Sequence, residues 1–128
     1  MDKEKFLFRR QFILGPYFIN NLPTWNRLSI DDKLFITVHP DLEKSKVTFG
    51  NSTIVLLGYI LDPFNPSFNN LEIVNRIAEK ISVADDIFQH LDSKCGRFVF
   101  IVKTNDELRI LSCELLLYPP YRIWQYSR

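Results

Sequence analysis

Residues Lys46 to Leu61 read KVTFGNSTIVLLGYIL, and their pattern decides the fold class. Lys46–Phe49 (KVTF) alternates polar and apolar, Gly50-Asn51 is a turn signal, and Thr53–Leu61 is apolar almost throughout. Alternation marks a strand with one wet face. A continuous apolar run of this length, next to a turn, marks a strand covered on both faces and therefore central in a sheet. Strand, two-residue turn and strand make a hairpin.

Downstream, Asp62-Pro63-Phe64-Asn65-Pro66 breaks the sheet pattern. Leu71, Val74, Ile77, Ala78 and Ile81 then recur at helical spacing, which predicts a helix over Asn70–Ile81 with one apolar stripe. Asn69 with Glu72 three residues later forms a capping box at its start. Ser82 with Asp85 repeats the device for a shorter second helix, whose apolar face is Val83, Ile87, Phe88 and Leu91. Gly96 opens a strand over Arg97–Lys103 (RFVFIVK), and Asn105-Asp106 turns the chain into Leu108–Leu111, a second hairpin.

Upstream, Leu34–Val38 (LFITV) is a strand that stops at His39-Pro40, because proline pushes the preceding residue out of helical geometry. Asn20-Asn21-Leu22-Pro23 is a loop leading to Trp25, and Phe6–Leu14 is a β-like run ended by Gly15-Pro16. The order strands, helices, strands is α+β, with helices packed on a mainly antiparallel sheet.

The chain has 128 residues, 46% hydrophobic and 24% charged, the balance of one folded domain. At this length roughly two-thirds of the unfolded surface is buried on folding, so no disulfide or metal staple is needed. Sixteen Lys+Arg against fifteen Asp+Glu leave a net charge of +1. That balance gives no electrostatic reason to expect nucleic acid or an anionic membrane as a partner. Ile54–Leu61 falls short of the roughly 20 residues of a membrane helix. The opening MDKEKFLFRRQ mixes charge signs and lacks a small-residue cleavage site, so it does not read as a secretion signal. The expected location is cytoplasmic.

The residues that could carry chemistry have structural readings. Asp31-Asp32 and Asp85-Asp86 stand near expected helix starts, where acids complement the dipole. Cys95 and Cys113 lie in or beside apolar runs and read as buried free thiols, with no histidine near in sequence to activate them. His39 lies in His-Pro-Asp after a strand, and His90 late in the second helix, without the spacing of a metal site. No standard phosphate-cradling glycine loop is present. No cofactor is expected. The C-terminal YPPYRIWQYSR is aromatic and basic, too weakly so for a nucleic-acid platform, and fits neither common proline-rich ligand pattern. It reads as a segment that packs on its own domain or makes a contact surface.

Together, FILGP (Phe12–Pro16), Trp25, TVHPDL (Thr37–Leu42), LLGYILDP (Leu56–Pro63) and CGRFVFIV (Cys95–Val102) resemble a known family. It is the N-terminal domain of asparagine-synthetase-like proteins, related to class II glutamine amidotransferases. The resemblance runs from Phe12 to Leu111, with the segment from Cys113 to Arg128 divergent. It implies one glutaminase-like domain over residues 1–128 with an N-terminal-nucleophile hydrolase fold, a partial αββα sandwich of two antiparallel sheets and flanking helices.

The resemblance also implies that catalysis is lost. Active members use a cysteine at position two, freed when Met1 is removed; this chain has Asp2. They carry an Asn-Gly pair that helps hold the oxyanion. Gly58 matches that glycine, but Leu57 precedes it and has no side-chain donor. They carry an Asp-x-Glu that grips the amino group of glutamine, and here Asn70-Leu71-Glu72 occupies the place. Gly58, Asn70 and Glu72 are thus the candidate residues of a degenerate pocket, and the expected protein is not an enzyme but a structural or interaction domain.

The family continues into an ATP-dependent synthetase domain. This chain ends at Arg128, which suggests a truncated or frame-shifted relative, a fragment of a larger synthetase-like protein, or a small module. The expected partners are a second copy, paired on an exposed sheet edge, and a separate synthetase-type domain. The alternative reading is a module that binds an amino acid or amide without turning it over; a third is an enzyme using Cys95 or Cys113.

Overall fold

The computed structural model describes residues 11–81, 91, 94–105, 107–113 and 121–127, with residues 81, 113 and 121–127 as backbone only. It is an α+β protein made mostly of strands, in two antiparallel sheets. Contacts divide it into two compact units, Met1–Glu43 and Lys44–Arg128.

The first unit holds β1 (Phe12–Gly15), β2 (Asn26–Ser29) and β3 (Phe35–Val38), in the order β1-β3-β2. The central strand is the one predicted from LFITV, and Ile36, Thr37 and Val38 are buried. Of the predicted Phe6–Leu14 run, the part before Gln11 lies outside the described residues. β2 was not foreseen, because four residues of NRLS among turn formers carry too little apolar alternation. Its presence corrects the reading of Asp31-Asp32: the pair sits in the β2–β3 turn, not at a helix start. Asp31 Oδ1 accepts the backbone N–H groups of Lys33 (2.7 Å) and Leu34 (2.9 Å), an Asx turn that reverses the chain.

The second unit is a five-stranded sheet, β4 (Lys44–Phe49), β5 (Ser52–Leu61), β6 (Cys95–Lys103), β7 (Glu107–Cys113) and β8 (Tyr121–Ser127), paired in sequence order. β4 and β5 form the predicted hairpin, with Phe49 opposite Ser52 and Gly50 at φ +58° in the turn. β5 is an interior strand, as its apolar run requires. Its even-numbered side chains Ile54, Leu56 and Ile60 face the core cluster, and Val55 and Leu57 on the other face are buried too. β6 and β7 form the second hairpin. β8, from the C-terminal aromatic segment, pairs along the outer edge of β7, so that edge is occupied by the chain itself.

One complete helix is described, α1 (Asn70–Ile81), over the predicted residues. Its capping box is formed: the Glu72 N–H donates to Asn69 Oδ1 (2.9 Å), and the Asn69 N–H donates to Glu72 Oε1 (3.4 Å). Ile73, Val74, Ile77 and Ala78 pack on Ile54, Leu56, Phe98, Phe100 and Val102, whereas Leu71 of the predicted stripe is exposed, because in the first turn Ile73 takes the core-facing place. Each large side chain so buried contributes about 1.5–3 kcal/mol. Of the second predicted helix only Leu91 is described; it is helical and joins the same cluster. Ser82, Val83, Asp85, Asp86, Ile87, Phe88 and His90 lie outside the described residues. No helix among the described residues is long and apolar enough to cross a membrane.

Candidate functional site

Two of the residues singled out by the resemblance, Gly58 and Asn70, meet where β5 runs on past the start of β4. The β4–β5 ladder begins at Lys44 opposite Leu57, so beyond that point the β4-side edge of β5 has no strand partner in the ladder. Asn70, in the first turn of α1, supplies one. Its Nδ2 donates to the Gly58 carbonyl (3.0 Å), and its Oδ1 accepts the Ile60 N–H (3.1 Å). A side-chain amide carries donor and acceptor groups side by side, as a peptide does, so Asn70 stands in for a backbone peptide at this edge. It ties the start of the helix to the strand.

Gly58 and Asn70 are therefore brought together, by hydrogen bonds between themselves. Glu72 is exposed and turned to the capping box, on Asn69. Gly58 has φ +99° and lies against β6, while Gly96 of β6 has φ +127° and lies against β5. A Cβ on Gly58 would sit 2.4 Å from the Arg97 carbonyl oxygen, and one on Gly96 would sit 2.5 Å from that of Tyr59. The two glycines allow the paired strands to approach at the end where α1 is attached.

His39 is fully buried in the first unit. Its Nδ1 accepts the Asp41 N–H (3.0 Å), and its ring stands edge-on to Trp25 at 5.2 Å. The His-Pro-Asp motif thus builds a turn. Cys95 is a free thiol and only partly buried, less enclosed than expected, because it opens β6 at the end of the sheet. The side chain of Cys113 lies outside the described residues. Among the described residues no three His, Cys, Asp or Glu side chains are grouped to hold a metal ion.

Sequence reasoning missed a cleft of about 230 Å³ beside α1. Its described lining is Asp62, Phe64, Asn65, Ile73, Arg76, Ile77, Lys80 and Lys94. The Asp62–Pro66 breaker is an ordered turn: Asp62 Oδ1 accepts the Phe64 N–H (3.0 Å), and Oδ2 accepts from Asn65 Nδ2 (3.1 Å). Lys94 Nζ approaches the same carboxylate at 3.5 Å, both side chains being largely buried. The Asn65 amide, helped by the Phe64 N–H and Lys94 and opposed by burial, holds the Asp62 carboxyl below the ordinary carboxylate range. The one signal in sequence was the i,i+4 pair Arg76 and Lys80 on the helix flank. Lys94 joins them only through the fold.

A carboxyl whose pKa is lowered by folding stabilises the protein above its unfolded value of about 3.9, and that contribution fades as pH falls through the lower, folded value. Asp62→Asn should therefore lose stability at neutral pH, with the difference from wild type shrinking in acid. Denaturant unfolding of both proteins across the acid range checks this; a difference independent of pH would refute the ionised role of Asp62.

Compared with known proteins, the chain matches no family model, no curated protein and no solved structure.

Proposed function

We propose that this chain is a non-catalytic glutaminase-like domain of the asparagine-synthetase-like kind, serving as a structural and interaction module, alone or within a larger synthetase-like protein. The αββα arrangement of the N-terminal-nucleophile hydrolases is part of this reading. Two antiparallel sheets agree with it.

The observation that carries the loss of catalysis is the Asn70 clamp. Where an active relative would keep an acid for the substrate's amino group, this chain has an amide whose donor and acceptor are both bound to β5 backbone. A ligand that drew Asn70 away from β5 would break those bonds, leaving the Gly58 carbonyl and the Ile60 N–H unpaired. Leu57 beside Gly58 offers no side-chain donor to an oxyanion. Gly58 and Asn70 are here used to hold helix to strand.

Purified chain incubated with glutamine should release no ammonia above the buffer blank, and neither glutamine nor asparagine should raise its melting temperature. Ammonia release would overturn the reading. Since a ligand at a hundred times its Kd adds about 2.7 kcal/mol of stability, a clear shift with either amino acid would favour the binding module instead.

A further inference from the structure

The cleft beside α1 plays no part in the reading above. Ile73 and Ile77 lie beneath it but are almost wholly covered, so its accessible surface is mostly polar, with Phe64 as its exposed apolar side chain. Around the cleft stand Arg76, Lys80 and Lys94, three cations against the single carboxylate of Asp62. Lys94 is matched by Asp62. Arg76 and Lys80 have no carboxylate partner among the described residues. The described lining thus has an excess of two positive charges, and both belong to neighbouring positions on one flank of α1.

We propose that this cleft binds a small phosphate monoester, its phosphate held by Arg76 and Lys80 and its apolar body resting on Phe64. The charge selects the head group. A phosphate monoester carries about −1.5 to −2 at neutral pH and matches the excess, whereas a monocarboxylate meets only half of it.

Arginine suits the phosphate, because its planar fork can donate two parallel hydrogen bonds to it. Arg76 is already positioned: its guanidinium carbon lies 4.4 Å from the centre of the Phe68 ring, in cation–π geometry. Less side-chain freedom is then lost when the anion arrives. The apolar part follows from Phe64, which lines the cleft yet is 79% exposed. An aromatic ring left in water at the rim of the cleft gains from a ligand body laid against it. Size sets the class: about 230 Å³ is below the roughly 300–1,000 Å³ of pockets for drug-sized ligands. This assignment stands whether or not the glutaminase-like reading holds.

The test is a titration of the isotope-labelled full chain with phenyl phosphate, followed by amide chemical shifts, with inorganic phosphate and benzoate as the other arms. Phenyl phosphate should bind saturably with a Kd of roughly millimolar or tighter, moving the amides of Phe64, Asn65, Arg76 and Lys80. Inorganic phosphate lacks the apolar body and benzoate the second charge, so each should bind about tenfold more weakly. Lys80→Gln and Arg76→Gln should each weaken phenyl phosphate by about tenfold. Both positions are exposed, so the fold should persist; Lys80→Glu, which reverses the charge, should abolish binding with the amide spectrum otherwise unchanged. Absence of saturable shifts at the cleft, or unchanged affinity in the variants, would overturn the site. Benzoate binding as tightly as phenyl phosphate would overturn the dianion assignment, and inorganic phosphate doing so would overturn the role of Phe64.

Discussion

Gly58→Ala should cost about 3–5 kcal/mol, a large share of the roughly 5–15 kcal/mol that holds a domain together. Two effects add. A φ of +99° is a region that side chains with a Cβ rarely adopt, and holding a residue there costs of order 1–3 kcal/mol. The new methyl would also lie 2.4 Å from the Arg97 carbonyl oxygen and 3.2 Å from the Phe98 Cα. Those atoms are backbone of a paired strand and cannot swing aside, so the β5–β6 ladder has to part. Gly96→Ala should do the same from the other strand, at φ +127° and 2.5 Å from the Tyr59 carbonyl oxygen.

Gly15 supplies the control. It has open space around its Cα and no positive φ, so alanine there should change stability by less than about 0.5 kcal/mol. Denaturant unfolding of the three variants decides the matter. Near-equal stability of Gly58→Ala and Gly15→Ala would mean that the strands do not approach as described.

Asn70→Ala should cost about 2–4 kcal/mol, because it leaves the Ile60 N–H and the Gly58 carbonyl without their partner. The more telling variant is Asn70→Asp, which keeps the shape of the side chain and replaces its amide with an acid. At neutral pH one carboxylate oxygen can still accept from Ile60, but the other faces the Gly58 carbonyl oxygen, two acceptors with no proton between them. An acid in the first turn of a helix gains about 0.3–1 kcal/mol from the dipole, less than the loss. The variant should therefore be destabilised at neutral pH.

In acid the protonated carboxyl can donate to Gly58, so its folded pKa lies above the unfolded value. The penalty should then be smallest below the unfolded carboxylate pKa and grow as pH rises through the folded one. Unfolding curves of wild type and variant across that range measure it. Wild-type stability for Asn70→Asp at neutral pH would show that Asn70 is not a structural clamp, and would reopen its place in a binding pocket.

Local signals made much of this fold legible. The run Thr53–Leu61 announced an interior strand because only a strand covered on both faces can hide so many adjacent apolar side chains. Gly50-Asn51 announced its hairpin, and the spacing from Leu71 to Ile81 with Asn69 and Glu72 announced α1 together with its cap. Each of these is a choice made by neighbours in sequence, and periodicity records it. β2 escaped because four residues carry no period, and Asp31 was misread because an Asx turn and a helix cap ask for the same residue. β8 escaped for another reason: an edge strand is defined by the strand beside it, and nothing in YRIWQYS names β7.

By itself, then, the sequence determined the α+β class, the two hairpins, the capped helix and most of that helix's buried face. Only the tertiary structure decided that Asn70 serves as a peptide-like partner for β5, that Gly58 and Gly96 lie against each other's strands, and that Lys94 joins Arg76 and Lys80 around Asp62. These depend on distances between residues remote along the chain. Such distances follow from how sheet and helix pack as wholes, which no local pattern of residue types encodes.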